Sequence, residues 1–312
     1  MTGNSRLSGV FAPVLTPMQS DLSPDPERLA AHCRWLLADG CHGLVLFGTT
    51  SEANSLSIDE RIELLEAVVA AGLAPAKLIV GTGLCAIPDT VRLTRHAVEL
   101  GCAGVLVLPP FYYKGVSDEG LFGAYREIIE RVGDQRLRLY LYHIPKISGV
   151  AITPGLIERL LESYGGQVSG VKDSSGDWSN TSALLSGFPG FGTFTGTEET
   201  LLATLRGGGA GCITATANAN AAAIRRLYDA WRTPEADALQ ERVKAVRRAV
   251  QVKPLIPALK RILARLDDDD GWLNLRPPLV ALSDAEAGEL FADLDAAGFA
   301  PLKAEPRAQA AV

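Results

Sequence analysis

Val168-Ser169-Gly170-Val171-Lys172-Asp173-Ser174-Ser175-Gly176-Asp177 is a short apolar run that ends on a lysine and breaks at once into a polar loop. A run of this length, closed by a turn cluster, reads as a buried strand, with Lys172 at its carboxyl end on the loop side. An ammonium is costly to bury, so a lysine held there tends to lose its proton and become a nucleophilic amine. Such an amine forms Schiff bases with carbonyl substrates. Taken alone, a strand-end lysine more often lays its stem along the surface and keeps its charge in water. The weight comes from neighbouring units, where other reactive groups occupy the same relative place.

The same alternation of apolar run and helical pattern extends in both directions. Strands are expected at Gly9 to Leu15, Gly43 to Phe47, Lys77 to Val80, Val105 to Leu108, Leu137 to Tyr142, Val168 to Val171, Phe191 to Thr195 and Gly211 to Thr214. Helices are expected near 25–38, 57–71, after Pro88, and near 118–132, 154–163, 177–187, 198–206 and 219–232. The second opens with a Ser-x-x-Glu capping box, Ser57 to Glu60. The strands are apolar throughout rather than alternating, as in a parallel sheet covered on both faces. Eight such units predict an α/β fold, a (β/α)8 TIM barrel, with a doubly wound open sheet as the rival. The remaining chain reads as three helices, near 234–249, 253–266 and 283–297, with an exposed acidic break at Asp267 to Asp270. The domain expectation is a catalytic barrel over residues 1–232 and a helical segment over 233–312 packed on it. An Ala-rich tail, Ala308 to Val312, is expected to be disordered.

The 312 residues are 47% hydrophobic and 21% charged, the balance of a globular protein with a substantial core. A formal net charge of -6 argues against nucleic acid or an anionic membrane as partner. No apolar run reaches the length of a membrane span, and no secretory signal is recognisable at the N-terminus. The five cysteines (Cys33, Cys41, Cys85, Cys102, Cys212) lack CxxC spacing and suit reduced thiols, so a cytoplasmic protein is expected. The four histidines are scattered without metal-ligand spacing, so neither a metal nor a cofactor is expected.

In a barrel of this type the active site lies at the carboxyl ends of the strands. The second strand is followed by Gly48-Thr49-Thr50-Ser51-Glu52, a small-residue turn that can hold a carboxylate through N–H groups and Thr hydroxyls. Thr-rich turns also serve as helix caps. Pro109-Pro110-Phe111-Tyr112-Tyr113 follows the fourth strand, and the fifth ends in Leu141-Tyr142-His143-Ile144-Pro145. A carboxylate cradle, two tyrosine hydroxyls and a lysine thus fall on one rim. Together they suit chemistry on a 2-keto acid. Lys172 attacks the ketone, Thr49 and Thr50 hold the carboxylate, Tyr142 moves a proton at the substrate hydroxyl, and Thr49 and Tyr113 relay it to solvent. For each tyrosine the plain alternative is a packing aromatic with a satisfied hydroxyl.

These residues resemble the dihydrodipicolinate synthase/N-acetylneuraminate lyase family of class I, Schiff-base pyruvate aldolases. The motifs that carry the resemblance are Gly48-Thr49-Thr50-x-Glu52, Pro110-Phe111-Tyr112-Tyr113, Tyr142-His143-Ile144-Pro145 and Gly170-Val171-Lys172-Asp173, with the helical tail. The resemblance implies Lys172 as the Schiff-base lysine, Tyr142 as the proton-transfer tyrosine, Thr49 and Thr50 as carboxylate and relay groups, and Tyr113 as a relay delivered by a neighbouring subunit. A homo-oligomer, tetramer or dimer, is implied with it. Ile213 matches a position that approaches pyruvate through its backbone.

Departures from the family pattern narrow the expectation. Ser51 replaces a glycine usual in the turn, and a positive φ there would strain it. Ile147 stands where lysine-pathway synthases carry an arginine for the aldehyde partner's carboxylate, and isoleucine cannot make that bidentate pair. Lys146 beside it is a doubtful substitute. The stretch His143-Ile144-Pro145-x-x-Ser148-Gly149-Val150 instead resembles the sialic acid lyase branch. Gly196-Thr197-Glu198-Glu199 follows the seventh strand, where those lyases set two acidic residues against sugar hydroxyls. Glu198 and Glu199 equally suit the first turn of a helix. Ala215 stands where those lyases carry a hydroxyl residue, which argues against sialic acid itself. Ser174 and Asp173 are further candidates to face the substrate.

The expected activity is a lyase or aldolase that makes or cleaves a C–C bond between pyruvate and an aldehyde, acting on a 2-keto-3-deoxy or 4-hydroxy-2-keto acid. The alternatives are a 4-hydroxy-tetrahydrodipicolinate synthase and a keto-deoxy sugar acid dehydratase. A non-catalytic keto-acid binding protein is the reading from a different class.

Overall fold

The computed structural model describes residues 7–300. The Ala308 to Val312 tail, and residues 301–312 of the C-terminal segment generally, lie outside them. Eight strands close into a barrel in chain order: β1 (Gly9–Pro13), β2 (Gly43–Leu46), β3 (Leu78–Gly81), β4 (Gly104–Val107), β5 (Leu139–His143), β6 (Val168–Asp173), β7 (Gly192–Thr195) and β8 (Gly211–Ile213). The ladders β1–β2 and β3 through β8 are parallel. Each strand is followed by a helix, the (β/α)8 architecture expected from the apolar runs.

The helices are α1 (Pro26–Ala38), α2 (Ile58–Ala70), α3 (Ile87–Glu99), α4 (Asp118–Val132), α5 (Pro145–Ser148), α6 (Pro154–Tyr164), α7 (Trp178–Gly187), α8 (Leu201–Arg206), α9 (Ala217–Asp229), α10 (Ala236–Gln251), α11 (Leu255–Asp267) and α12 (Asp284–Ala296). Their starts follow local chemistry. Asp25, Ser57, Ser117, Thr153 and Asp177 cap five of them through side-chain oxygens, and the Ser57–Glu60 capping box is formed in both directions. The one-turn helix α5 is unanticipated by pattern, because four residues are too few to show a period. It begins at Pro145 and ends at Gly149, whose φ of 66° suits a glycine stop. Among the described residues no helix is long and apolar enough to cross a membrane.

The chain forms two compact units. One spans Pro75–Ile213, the other Val10–Ala74 together with the chain from Thr214. In the second, α11 contributes Leu259, Ile262 and Leu263 to a core shared with Leu15, Val246, Val250, Trp272, Leu290 and Leu294. Asn218 on α9 accepts from the Leu15 amide at 3.1 Å and from the His32 ring at 3.0 Å, and donates to the Pro13 and Ala215 carbonyls at 2.8 Å each. All four polar capacities of a fully buried amide are thereby met, which fixes the end of β1.

The acidic stretch is only partly the exposed break expected. Asp267 accepts from the Trp272 indole at 2.8 Å, and Asp269 caps the turn Asp270–Leu273 and pairs with Arg28 at 3.1 Å. Asp268 and Asp270 are exposed. A buried tryptophan five residues on needed an acceptor for its N–H, and Asp267 supplies it.

Candidate active site

The site is built on the register between β5 and β6. Leu139 pairs with Val168, but Tyr140 pairs with Gly170, so Ser169 is an extra residue in β6. Beyond that bulge, Tyr142 lies opposite Lys172 and His143 opposite Asp173. Lys172 in turn lies opposite Phe194 of β7. The three side chains therefore neighbour one another, and each is at most 4% exposed. Lys172 Nζ donates to the Tyr142 hydroxyl at 3.3 Å and sits 4.3 Å from the centre of its ring. The lysine does not run out to water, as an ordinary strand-end lysine would.

One pleat below, Tyr140 fills the space under this pair. A Cβ added at Gly104 or Gly170 would come within 2.9 or 2.7 Å of the Tyr140 ring, and one at Gly192 within 3.4 Å. Three glycines, from β4, β6 and β7, thus make room for one aromatic ring, which packs edge-on against Phe194 at 6.0 Å. Lys172 stands on a rigid, apolar floor.

The loop after β6 is held from behind. The Asp173 carboxylate accepts from the Ser175 amide at 2.9 Å, Asn180 at 3.0 Å and the Thr181 hydroxyl at 2.7 Å. Three donors make it a fastening for α7, so its candidacy as a substrate contact is not favoured. His143 accepts from the Ile152 amide at 3.0 Å through Nδ1, and burial holds its pKa down against the opposing pull of Asp173. Ser174 is half-buried, and its hydroxyl lies where a Cβ at Gly196 would fall, 2.2 Å away, so only glycine fits at 196. The Gly196 amide also donates to the Asp173 carbonyl at 2.7 Å, bringing Ser174 and Gly196 together.

Glu198 and Glu199 do begin a helical turn, Glu198–Thr200, capped by Thr197. Glu198 is nevertheless fully buried, unlike an ordinary first-turn carboxylate, while Glu199 is half-buried. Ile213 ends β8, buried, with Ala215 buried shortly after. Tyr112 and Tyr113 stand at the surface, 75% and 72% exposed, with their rings edge to face at 5.4 Å. Lys114 ties their loop down by donating to the Phe111 carbonyl and, at 2.6 Å, to the Ser148 carbonyl. Ile147 is 66% exposed on α5, with no guanidinium in its place.

The Gly48–Glu52 turn is closed by the Ser51 and Glu52 amides, which donate to the Gly48 and Thr49 carbonyls at 3.1 Å each. The concern over Ser51 does not materialise. The left-handed positions are Phe47 (φ 58°) and Glu52 (φ 56°), which bracket the turn. Ser51 is instead a fastening: its hydroxyl donates to the Val14 carbonyl at 2.5 Å and accepts from the Gly48 amide at 3.2 Å. Its own carbonyl accepts from Thr16 at 2.8 Å. Thr50 is buried and Thr49 half-buried.

One residue at this turn escaped the sequence reading. Lys260 on α11 forms an ion pair with Glu52 at 2.5 Å, their side chains 1% and 0% exposed. The signal was present: Ile256, Leu259, Lys260 and Leu263 share the i, i+3, i+4, i+7 stripe of an amphipathic helix, so the lysine lies on the buried face. Among the described residues no group of three or more His, Cys, Asp or Glu side chains is arranged to hold a metal. None of the five cysteines is in a disulfide; Cys85 is exposed and Cys33, Cys41 and Cys212 are buried.

Known proteins share this fold. The family model described as the dihydrodipicolinate synthetase family matches residues 6–297. A DapA-like lyase of Chloroflexus aurantiacus, itself uncharacterized, is 39% identical over 91% of this chain and 95% of its own length. The crystal structure of dihydrodipicolinate synthase from Agrobacterium tumefaciens superposes with a TM-score of 0.86 at 32% identity, over 92% of this chain and 98% of that one. A variant of 2-keto-3-deoxygluconate aldolase from Sulfolobus solfataricus shares the fold, with a TM-score of 0.83 at 22% identity over 93% and 96% of the two chains. The chain belongs to the dihydrodipicolinate synthetase family.

Proposed function

We propose that the protein is a class I lyase that joins or cleaves pyruvate and an aldehyde through a Schiff base on Lys172, with a 2-keto-3-deoxy or 4-hydroxy-2-keto acid as substrate. The observation that carries the reading is the buried Lys172 with its Nζ 3.3 Å from the Tyr142 hydroxyl. In the cleavage direction the neutral amine adds to the C2 ketone and water leaves, giving an iminium. A base removes the proton of the C4 hydroxyl, the C3–C4 bond breaks, and its electron pair is taken up by the iminium as an enamine. The aldehyde departs, C3 is protonated, and hydrolysis returns pyruvate and the free lysine.

Tyr142 is the group for the C4 proton, since its oxygen lies within hydrogen-bond reach of the nucleophile. The roles of Thr49 and Thr50 on the substrate carboxylate, of Ile213 at its backbone, and of Ser174, Gly196, Glu198 and Glu199 toward the distal part of the substrate, are proposed with it. The exposed Tyr112–Tyr113 pair suits delivery of Tyr113 to a second copy of the chain, in a homo-oligomer. The test is single-turnover mass analysis of enzyme, pyruvate and borohydride, with Lys172→Ala as the control.

A second reading, a 4-hydroxy-tetrahydrodipicolinate synthase, is favoured by the Agrobacterium tumefaciens relative. Ile147 weighs against it, because the aldehyde partner's carboxylate would lack its guanidinium. Dehydration of a sugar-derived keto acid would use the same lysine and differ in breaking a β C–O bond. Product analysis separates the three.

A further inference from the structure

The ion pair between Lys260 and Glu52 is sealed from water. Two charges taken out of water lose hydration that their attraction restores only with good geometry, and a well-packed apolar pair of similar volume is often as stable. Stability alone therefore does not account for it. Its location does. Glu52 is in the left-handed region at φ 56°, as is Phe47 at φ 58°, and such residues persist only where their surroundings over-determine them. Between these two bends lie Thr49 and Thr50. Lys260 Nζ is itself fixed by donating to the Asn274 carbonyl at 2.9 Å, so the ammonium is a rigid anchor. The residue after Glu52 is also held, since the buried Arg61 guanidinium donates to the Ala53 carbonyl.

We propose that Lys260 is a positioning residue: its ion pair holds Glu52 in the left-handed conformation and so sets the orientation of the Thr49–Thr50 turn toward the substrate carboxylate. The inference rests on the reading of that turn as the carboxylate cradle. It gives α11, which carries no group for the chemistry itself, a role in substrate affinity.

The test compares Lys260→Met, Glu52→Gln and the double variant, reading thermal stability and the pyruvate concentration that gives half-maximal borohydride trapping on Lys172. Each single variant leaves one buried charge uncompensated and is expected to lower the melting temperature. The double variant removes both charges, so stability is expected to return. Pyruvate affinity is expected to stay about tenfold to a hundredfold weaker in the double variant, the scale on which a displaced binding group costs. Trapping at saturating pyruvate stays complete. A double variant that binds pyruvate as tightly as wild type overturns the proposal, whatever its stability. If the double variant does not fold, Glu52→Asp, which keeps both charges on a shorter tether, serves instead. It is expected to weaken pyruvate trapping, and wild-type affinity there overturns the proposal equally. Failure of the Schiff-base reading at Lys172 is distinct, because wild type itself would then trap no pyruvate.

Discussion

Tyr142 and Lys172 are register partners across β5 and β6, and the lysine amine lies 3.3 Å from the tyrosine oxygen and 4.3 Å from the ring centre. The amine and the phenol are thus brought together by the backbone ladder itself, on two paired strands. Tyr142→Phe keeps the ring that packs against the amine and removes the oxygen. It is expected to retain borohydride trapping of pyruvate and to lose about 10²–10⁴ in turnover rate, the usual contribution of a positioned acid–base group. A loss below about fivefold would mean that another group moves the proton.

The floor under Lys172 depends on missing side chains. At Gly170 a Cβ would lie 2.2 Å from the Gly192 carbonyl oxygen and 2.7 Å from the Tyr140 ring, contacts that only backbone movement could relieve. Gly170→Ala is expected to destabilise the fold by about 1–3 kcal/mol or more, the range for overpacking a close-packed interior. Gly123, inside α4, has nothing within 4 Å of its added Cβ. Gly123→Ala is expected to stabilise by about 0.5–1 kcal/mol through helix propensity and the unfolded chain. Denaturant titration of the two variants checks both signs in one experiment.

Arg276 reaches Glu60 in a paired contact, and its guanidinium also donates to the Ser55 carbonyl at 2.6 Å and the Leu22 carbonyl at 2.9 Å. The hydrogen bonds from Arg276 hold the Glu60 carboxyl down at about 2, against an ordinary value of 4.5. A depressed acid stabilises the fold fully above its unfolded value, and that stability disappears as pH falls through the folded value. Arg276→Gln is therefore expected to lose about 1–2 kcal/mol near neutral pH, discounted for the partial exposure of the pair. The difference from wild type should shrink between about pH 4.5 and pH 2. A difference that stays constant across that window would assign the loss to the carbonyl contacts of Arg276 instead.

Much of this was legible in the sequence because it is written in short-range signals. Apolar runs of strand length, the Ser57–Glu60 capping box, and the placement of Lys172 and Tyr142 at strand ends pointed to the barrel and to the adjacency of those two side chains. What pattern reading missed depends on pairings between distant segments. The extra residue Ser169 sets the register that puts Tyr142 opposite Lys172, and no periodicity reveals a single-residue bulge. The strain expected at Ser51 fell on Glu52, because which residue of a turn takes positive φ depends on what anchors it. Asp267 was read as solvated because its partner, the Trp272 indole, is recognisable only in the folded chain. Lys260 could have been noticed, since a lysine on an apolar helical stripe requires a buried partner.

The most direct measurement is intact mass after borohydride reduction, with wild type and Lys172→Ala each incubated with pyruvate, 2-keto-3-deoxygluconate or N-acetylneuraminate. Wild type is expected to gain a pyruvate adduct from pyruvate and a pyruvate-sized adduct from a longer keto acid that it cleaves, and Lys172→Ala neither adduct nor turnover. A whole-substrate adduct that has lost a second water, beyond the one expelled in forming the Schiff base, would turn the reading to dehydration on the same lysine. No adduct on wild type from any of the three, or an equal adduct on Lys172→Ala, would contradict Schiff-base chemistry at Lys172.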